Sequence, residues 1–218
     1  MGLCIAGREV TDPISLWRRY AAEHHGTLME YDFGGRGNPY GLTVDEILRT
    51  RIINSRISDS QCGELEARAA EPGCPWFDVP ENASLADAIP GVQGGLFDTA
   101  VNLYWYFTQK PIRYVRVAKI HKALHIKRPD LYPILDARLR NLYRERASLW
   151  VGRFTSPDRA ITLRDSPPYW AAIRQDLLGN EAELDDYRMQ LGSDPNATIR
   201  RMAGLSKLRL IDITAWRM

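Results

Sequence analysis

The sequence predicts a mainly α fold, and three observations carry that prediction. Helix-start signals recur along the chain. Apolar residues return at helical spacing behind them. The breaks between are rich in Gly and Pro. With 218 residues, 44% hydrophobic and 26% charged, the chain is long enough for one good core, or one core and a smaller lobe. No repeat period or Gly/Ser linker cuts it. The expectation is a single compact helical domain over 1–218, with two helical lobes as an option.

Taken in order, Asp12 and Pro13 open the first helix, with Pro tolerated at the first helical position. Ile14, Leu16, Trp17, Tyr20 and Ala21 carry its apolar face to a stop at Gly26. "TLMEYDF", 27–33, reads as a short strand or extended arm near the N-terminus. "GGRGNPYG", 34–41, is a loop by composition; it lacks the Lys-Ser/Thr of a phosphate loop, so a nucleotide site is not expected there. Thr43 with Glu46 spells a capping box and opens a helix through Ile47, Leu48, Ile52 and Ile53. A second helix is read over 64–71, before three prolines in "EPGCPWFDVPENAS". "AIPGVQGG", 88–95, reads as a loop that starts the next helix.

"LFDTAVNLYWYF", 96–107, is apolar nearly all round and predicts a central core helix, ended by Pro111. A helix over 116–126 follows, with Val117, Ile120, Ala123 and Leu124 on one face. A connector, "KRPDLYP", leads to a helix starting near Asp136. After a loop through Pro168, helices are read over 169–178, 182–191 and 207–216.

Composition narrows the function classes. No run of eighteen apolar residues marks a membrane span, and no secretory leader is visible. Ala6 stands where a lipidation signal wants Ser or Thr. Cys4, Cys62 and Cys74 are odd in number and widely spaced, which fits free thiols in a reducing cytoplasm. The net charge of +2 hides an asymmetry: residues 110–146 hold eleven basic and three acidic residues, and the remainder eighteen and twenty-four. A segment balance of +8 on a body of −6 points to a basic face for nucleic acid or another polyanion. A solvated helix surface is the plain alternative.

Within the basic segment lies "YPILDARLRNLY". Asp136 follows a proline and two aliphatics and stands where a helix begins, so a helix cap explains it by position alone. The stretch also resembles the helix-hairpin-helix DNA glycosylases, whose adenine-mismatch members spell a proline, two aliphatics and Asp ahead of a basic, aliphatic helix. The resemblance implies a helix-hairpin-helix glycosylase fold with Asp136 as its catalytic carboxylate. The chemistry accounts for the charge pattern. Cleaving an N-glycosidic bond builds positive charge on the sugar, which a fixed carboxylate stabilises while it orients water. The target base must first leave the stack for a pocket walled by aromatic or apolar groups. Tyr31, Tyr104, Trp105, His125 and Tyr132 are the residues read for that pocket. Arg113, Arg116, Lys119, Lys122, Lys127, Arg128, Arg138 and Arg140 are read as holding phosphates.

The family's hairpin, about twenty residues before the aspartate, falls at "IRYVRVAK". Its glycines let backbone N–H groups approach a phosphate; this chain has Tyr114-Val115-Arg116 there. The Schiff-base lysine of bifunctional members falls closest to Ala118, with Lys119 beside it, so monofunctional hydrolysis is implied. A second resemblance covers more of the chain. "LTVDEILRTRIINSRIS", "KALHIKRPDLYPILD" and "LSKLRLIDITAWRM" look like an uncharacterised bacterial domain family with a KRP-x-L-x-P-x-x-D segment, from about Leu16 onward. Some glycosylases of this general kind act on hypermodified cytosines of phage DNA, which makes antiphage defence one implied role.

His121 and His125 lie four apart, as zinc ligands do, but Lys122 stands where a metalloprotease needs Glu. Neither metal nor cofactor is expected. The expected partner is double-stranded DNA, with no membrane, and the expected state is a cytoplasmic monomer. Two readings remain beside the enzyme: a non-catalytic DNA-binding protein on the same fold, and a basic-faced protein-interaction module.

Overall fold

Asp12 does cap the first helix: its carboxylate accepts the Ser15 N–H at 3.0 Å, and Pro13 fills the first helical position of α1 (Pro13–Glu23). The computed structural model describes residues 2–154 and 160–218. The chain is mainly helical, as its sequence predicts. It forms two compact units: residues 29–136 make one, and the flanking stretches, up to Leu28 and from Ala137 onward, make the other.

The flanking unit opens on the only sheet among the described residues, a hairpin of β1 (Leu3–Ile5) and β2 (Arg8–Val10). Ala6 and Gly7 turn it with φ of 51° and 79°, the positive pair that matches the twist of antiparallel strands. Beyond α1 the unit holds α6 (Ala137–Ser148), α7 (Pro167–Gly179), α8 (Glu181–Gly192), α9 (Ala197–Met202) and α10 (Lys207–Arg217). Every residue of α10 from Leu208 to Ala215 is buried, and the helix packs against α1, α6, α7 and α8. It is the centre of this unit. The Trp17 indole N–H donates to Thr214 Oγ1 at 2.9 Å, satisfying both inside the core. The hairpin is tied to α7 by two side chains one turn apart. Asp176 accepts the Ala6 N–H at 2.6 Å, and Asn180 accepts from Cys4 N and donates to Cys4 O. Tyr143 and Arg146 of α6 also donate to Asp176. Burial pushes the Asp176 carboxyl above its usual range against these donors.

The other unit contains α2 (Val44–Arg49), α3 (Asp59–Ala69), α4 (Leu96–Gln109) and α5 (Val117–Lys127). The capping box of Thr43 and Glu46 forms, and a second, of Ser58 and Gln61, starts α3 five residues before the helix read over 64–71. α4 buries Phe97, Ala100, Val101, Leu103, Tyr104 and Phe107 but leaves Asn102 exposed. A helix with one open side replaces the fully enclosed one expected from its composition.

One local reading needs correction. Residues 27–33 are not a strand: Thr27–Asp32 is a π-helical turn. Its buried residues, Leu28 and Tyr31, are three apart, the spacing of one helical face rather than one strand face. The strand pairing occurs earlier, at residues 3–10. Helix α9 lies between the helices read over 182–191 and 207–216, where no element is read. The loop read through Pro168 includes residues 155–159, which lie outside the described residues. Among the described residues no helix is long and apolar enough to cross a membrane. Cys4, Cys62 and Cys74 are free thiols, the last two buried.

Candidate functional site

The stretch between α4 and α5 is a tight hairpin. Its turn closes with Val115 N–H donating to Ile112 O at 2.9 Å, and both side chains are buried. Between them Tyr114 takes φ +62°, the left-handed region where L side chains rarely sit. Arg116 then stands extended at the N-cap of α5 with no side-chain cap bond. The Lys119 N–H at the start of α5 donates to Arg116 O at 3.0 Å, while the amides of Val117 and Ala118 precede the first bond of the helix. The geometry is that of a helix, a hairpin with a left-handed residue at its tip, and a second helix. Glycine usually supplies such a tip; here a tyrosine does.

Twenty residues beyond Arg116, the chain reaches Asp136 through a firmly held segment. Tyr132, Ile134 and Leu135 are buried, and the backbone turns with Leu135 N–H on Pro133 O at 2.9 Å and Asp136 N–H on Ile134 O at 3.0 Å. Asp136 itself is half-buried and immediately precedes α6.

The eight cations read as phosphate contacts separate into three groups. Arg113, Arg116 and Arg138 are exposed. Lys119 and Arg140 are half-buried and engaged: Lys119 donates to Gln61 Oε1 at 2.9 Å, and Arg140 to Leu163 O at 2.7 Å and Arg164 O at 3.1 Å. Lys122, Lys127 and Arg128 are a correction, because they are buried and their side chains bond to groups inside the unit. Lys122 Nζ donates to Ile53 O. Lys127 Nζ donates to Arg36 O at 2.6 Å and Asn38 O at 2.9 Å and pairs with Glu46. Arg128 donates to Pro39 O at 2.9 Å and Val79 O at 3.0 Å. Burial pulls the Lys127 ammonium below its usual range, and Glu46 pushes it back up. A cation buried against carbonyls of its own unit is not presented to a phosphate.

These cations instead explain the glycine-rich loop. Arg49 adds three bonds, to Glu30 O, Tyr31 O and Gly35 O. The backbone of 34–39 is therefore drawn onto three basic side chains. At Gly37, with φ +56°, a Cβ would fall 2.2 Å from Glu46 Oε1. That approach requires glycine.

The aromatic pocket also needs correction. Tyr31, Tyr104, His125 and Tyr132 are 2%, 4%, 3% and 0% exposed. Tyr31 donates to Lys122 O at 2.8 Å, Tyr132 donates to Ala100 O at 2.9 Å, and His125 Nδ1 lies 2.7 Å from Tyr132 O. Burial lifts the Tyr132 phenol far above its ordinary range. Tyr31, His125 and Tyr132 are core groups with satisfied polar ends, the usual state of a buried Tyr, and the Tyr104 ring packs on His121 with centroids 4.7 Å apart. Trp105 alone of the five is half-open. His121 also turns Nδ1 to a carbonyl, Val117 O, at 2.8 Å.

In the flanking unit the structure brings together residues that the sequence did not connect. Arg138 and Arg217 both lie over the Trp216 indole, 5.7 and 5.8 Å from its centroid, and His24 meets the same ring edge-on at 5.2 Å. Arg217 is paired with Glu23 at 2.7 Å. Only the terminal "AWRM" hinted at an aromatic with a cation beside it. A concavity of about 410 Å³ in this unit is lined by Glu9, Asp12, Arg19 and Met218 among others, and by none of the predicted site residues.

Comparison with known proteins adds one result. The model of a family described as "Family of unknown function (DUF6308)" matches residues 43–218. No curated protein and no solved structure matches the chain.

Proposed function

We propose, from the premise that this chain belongs to the DUF6308 family, that it is a monofunctional DNA glycosylase of helix-hairpin-helix type acting on a damaged or modified base. One observation carries the reading. The backbone of 110–116 adopts a left-handed hairpin tip at Tyr114, where the resembled glycosylases place glycine, and the carboxylate of Asp136 stands twenty residues past that hairpin. The spelling differs, and the positive φ at Tyr114, which glycine adopts without strain, supports the reading.

In this reading the hairpin meets the DNA backbone through the first-turn amides of α5, with Arg113 and Arg116 adding side-chain charge. Asp136 faces the sugar of an extruded nucleotide. As the C1′–N bond breaks, the base leaves with the bonding electrons and the sugar gains oxocarbenium character. The carboxylate stabilises that charge and orients a water, whose oxygen bonds to C1′ and whose proton is released. An abasic site remains.

The test is an excision panel. Duplexes carrying damaged, mismatched or hypermodified bases are incubated with the protein, then treated with alkali to reveal abasic sites. Strand scission with at least one member is the expected result; binding without scission across the panel would favour the non-catalytic reading. Arg113 and Arg116 supply a second expectation. Each Arg→Ala change should weaken duplex binding evenly across sequences and reduce the slope of log K against log salt by about 1. Lys127→Ala and Arg128→Ala, if folded, should leave that slope unchanged, because neither side chain reaches solvent.

A further inference from the structure

Tyr114 has an unusual combination of properties. It is 64% exposed, it holds φ +62°, and it sits at the tip of a hairpin. A bulky L residue is disfavoured there, and glycine would relieve the conflict. Its neighbour makes use of the ring. The Arg113 guanidinium lies 4.8 Å from the Tyr114 centroid, and Arg113 Nη2 donates to the Tyr114 hydroxyl at 3.0 Å. Arg113 is itself steadied from behind, where its carbonyl accepts Gln61 Nε2 at 2.7 Å. One face of the phenol is thus covered by a cation and the other is open to solvent. Lys110, Arg113 and Arg116 give the segment 110–116 three positive charges and no negative one, and all three residues are exposed.

We infer that Tyr114 is a stacking platform for an unpaired nucleobase of DNA, so that this hairpin favours duplexes interrupted by a bulge or gap over intact ones. The inference rests on the glycosylase reading and deepens it by naming the form of DNA its hairpin takes. A glycine hairpin offers backbone only and grips phosphate without regard to base pairing. A tyrosine tip adds a π face, and aromatic–base stacking tolerates any base because each has such a face. Charge selects the polyanion, with Lys110, Arg113 and Arg116 meeting flanking phosphates. The Arg113 guanidinium holds the ring outward and, by cation–π contact, polarises the face that a base would meet. An intact duplex offers no free face, so the ring gains nothing there.

The experiment is fluorescence anisotropy with a labelled 20-mer duplex and the same duplex carrying a single-nucleotide bulge, for wild type, Tyr114→Gly and Tyr114→Trp. Wild type should prefer the bulged DNA by roughly 5- to 150-fold, the range expected for stacking one base. Tyr114→Gly should bind both equally, at the level of wild type on intact duplex, with a melting temperature unchanged or raised because the backbone conflict is gone. Tyr114→Trp should restore the preference. Equal binding of both DNAs by wild type, or a preference that survives in Tyr114→Gly, overturns the inference and leaves the glycosylase reading standing. Failure of wild type to bind either DNA overturns both, and is distinguished by that.

Discussion

Asp136→Asn should reduce base excision by about 10³-fold or more while duplex binding is kept or strengthened. The amide has the shape of the carboxylate, and the segment that presents it is held by buried Ile134 and Leu135 and by two backbone turns, so the position survives the change. The charge does not. An oxocarbenium-like transition state then faces a neutral dipole instead of a full negative charge. Removing an anion from among DNA phosphates also eases binding, which is why affinity should hold or rise. The measurement is single-turnover excision on a substrate first established with wild type, alongside a gel shift at two salt concentrations. Full activity in the Asn variant would rule out Asp136 as the reacting group.

The second large effect lies away from that carboxylate. Lys127→Met should destabilise the unit of residues 29–136 by about 3–5 kcal/mol, the cost of leaving a buried carboxylate without its cation. Glu46 is 8% exposed, so water cannot replace the ammonium. The carbonyls of Arg36 and Asn38 lose their donor at the same time. The double variant Lys127→Met with Glu46→Gln should recover much of the loss. Its amide oxygen still accepts the Thr43 N–H that Glu46 accepts at 2.9 Å, and neither position 46 nor position 127 then carries a charge. Urea unfolding of the wild type, single and double variants measures this. A single variant as stable as wild type would show that the ion pair contributes nothing. Arg113→Ala, exposed, provides the contrast and should leave the midpoint unmoved.

The two variants separate what "KALHIKRPDLYPILD" combines. Its last acid, Asp136, stands at the head of a helix, half-open. Its KRP cations point inward and organise the glycine loop. On the page they look alike, because Lys and Arg carry the same charge whether they face solvent or a buried carbonyl. Partners that decide the matter, Glu46, Arg36, Asn38, Pro39 and Val79, are 49 to 91 residues away in sequence for Lys127 and Arg128.

Helix existence was legible because its determinants are local. Asp12-Pro13, the Thr43–Glu46 box and the apolar spacing of 96–107 each act within a few residues, and α1, α2 and α4 start where those signals stand. The hairpin's place between two helices was also legible, from the Pro111 stop and the periodic face of α5. Its conformation was not, since Tyr114 carries no sequence mark for a left-handed φ as glycine would. The aromatic pocket failed for a different reason. Tyr104 and Tyr132 have the composition of a base wall and of a core alike, and only the packing around α4 and α5 decides which.

The sequence by itself determined a mainly helical chain, the order of most of its helices, and a single acid at the start of a basic one. Those features follow from capping, spacing and covalent order. Only tertiary structure decided which charges are available to a partner. Whether a lysine meets solvent or a carbonyl depends on segments that approach from far along the chain, and the desolvation that commits it exists only once they have packed.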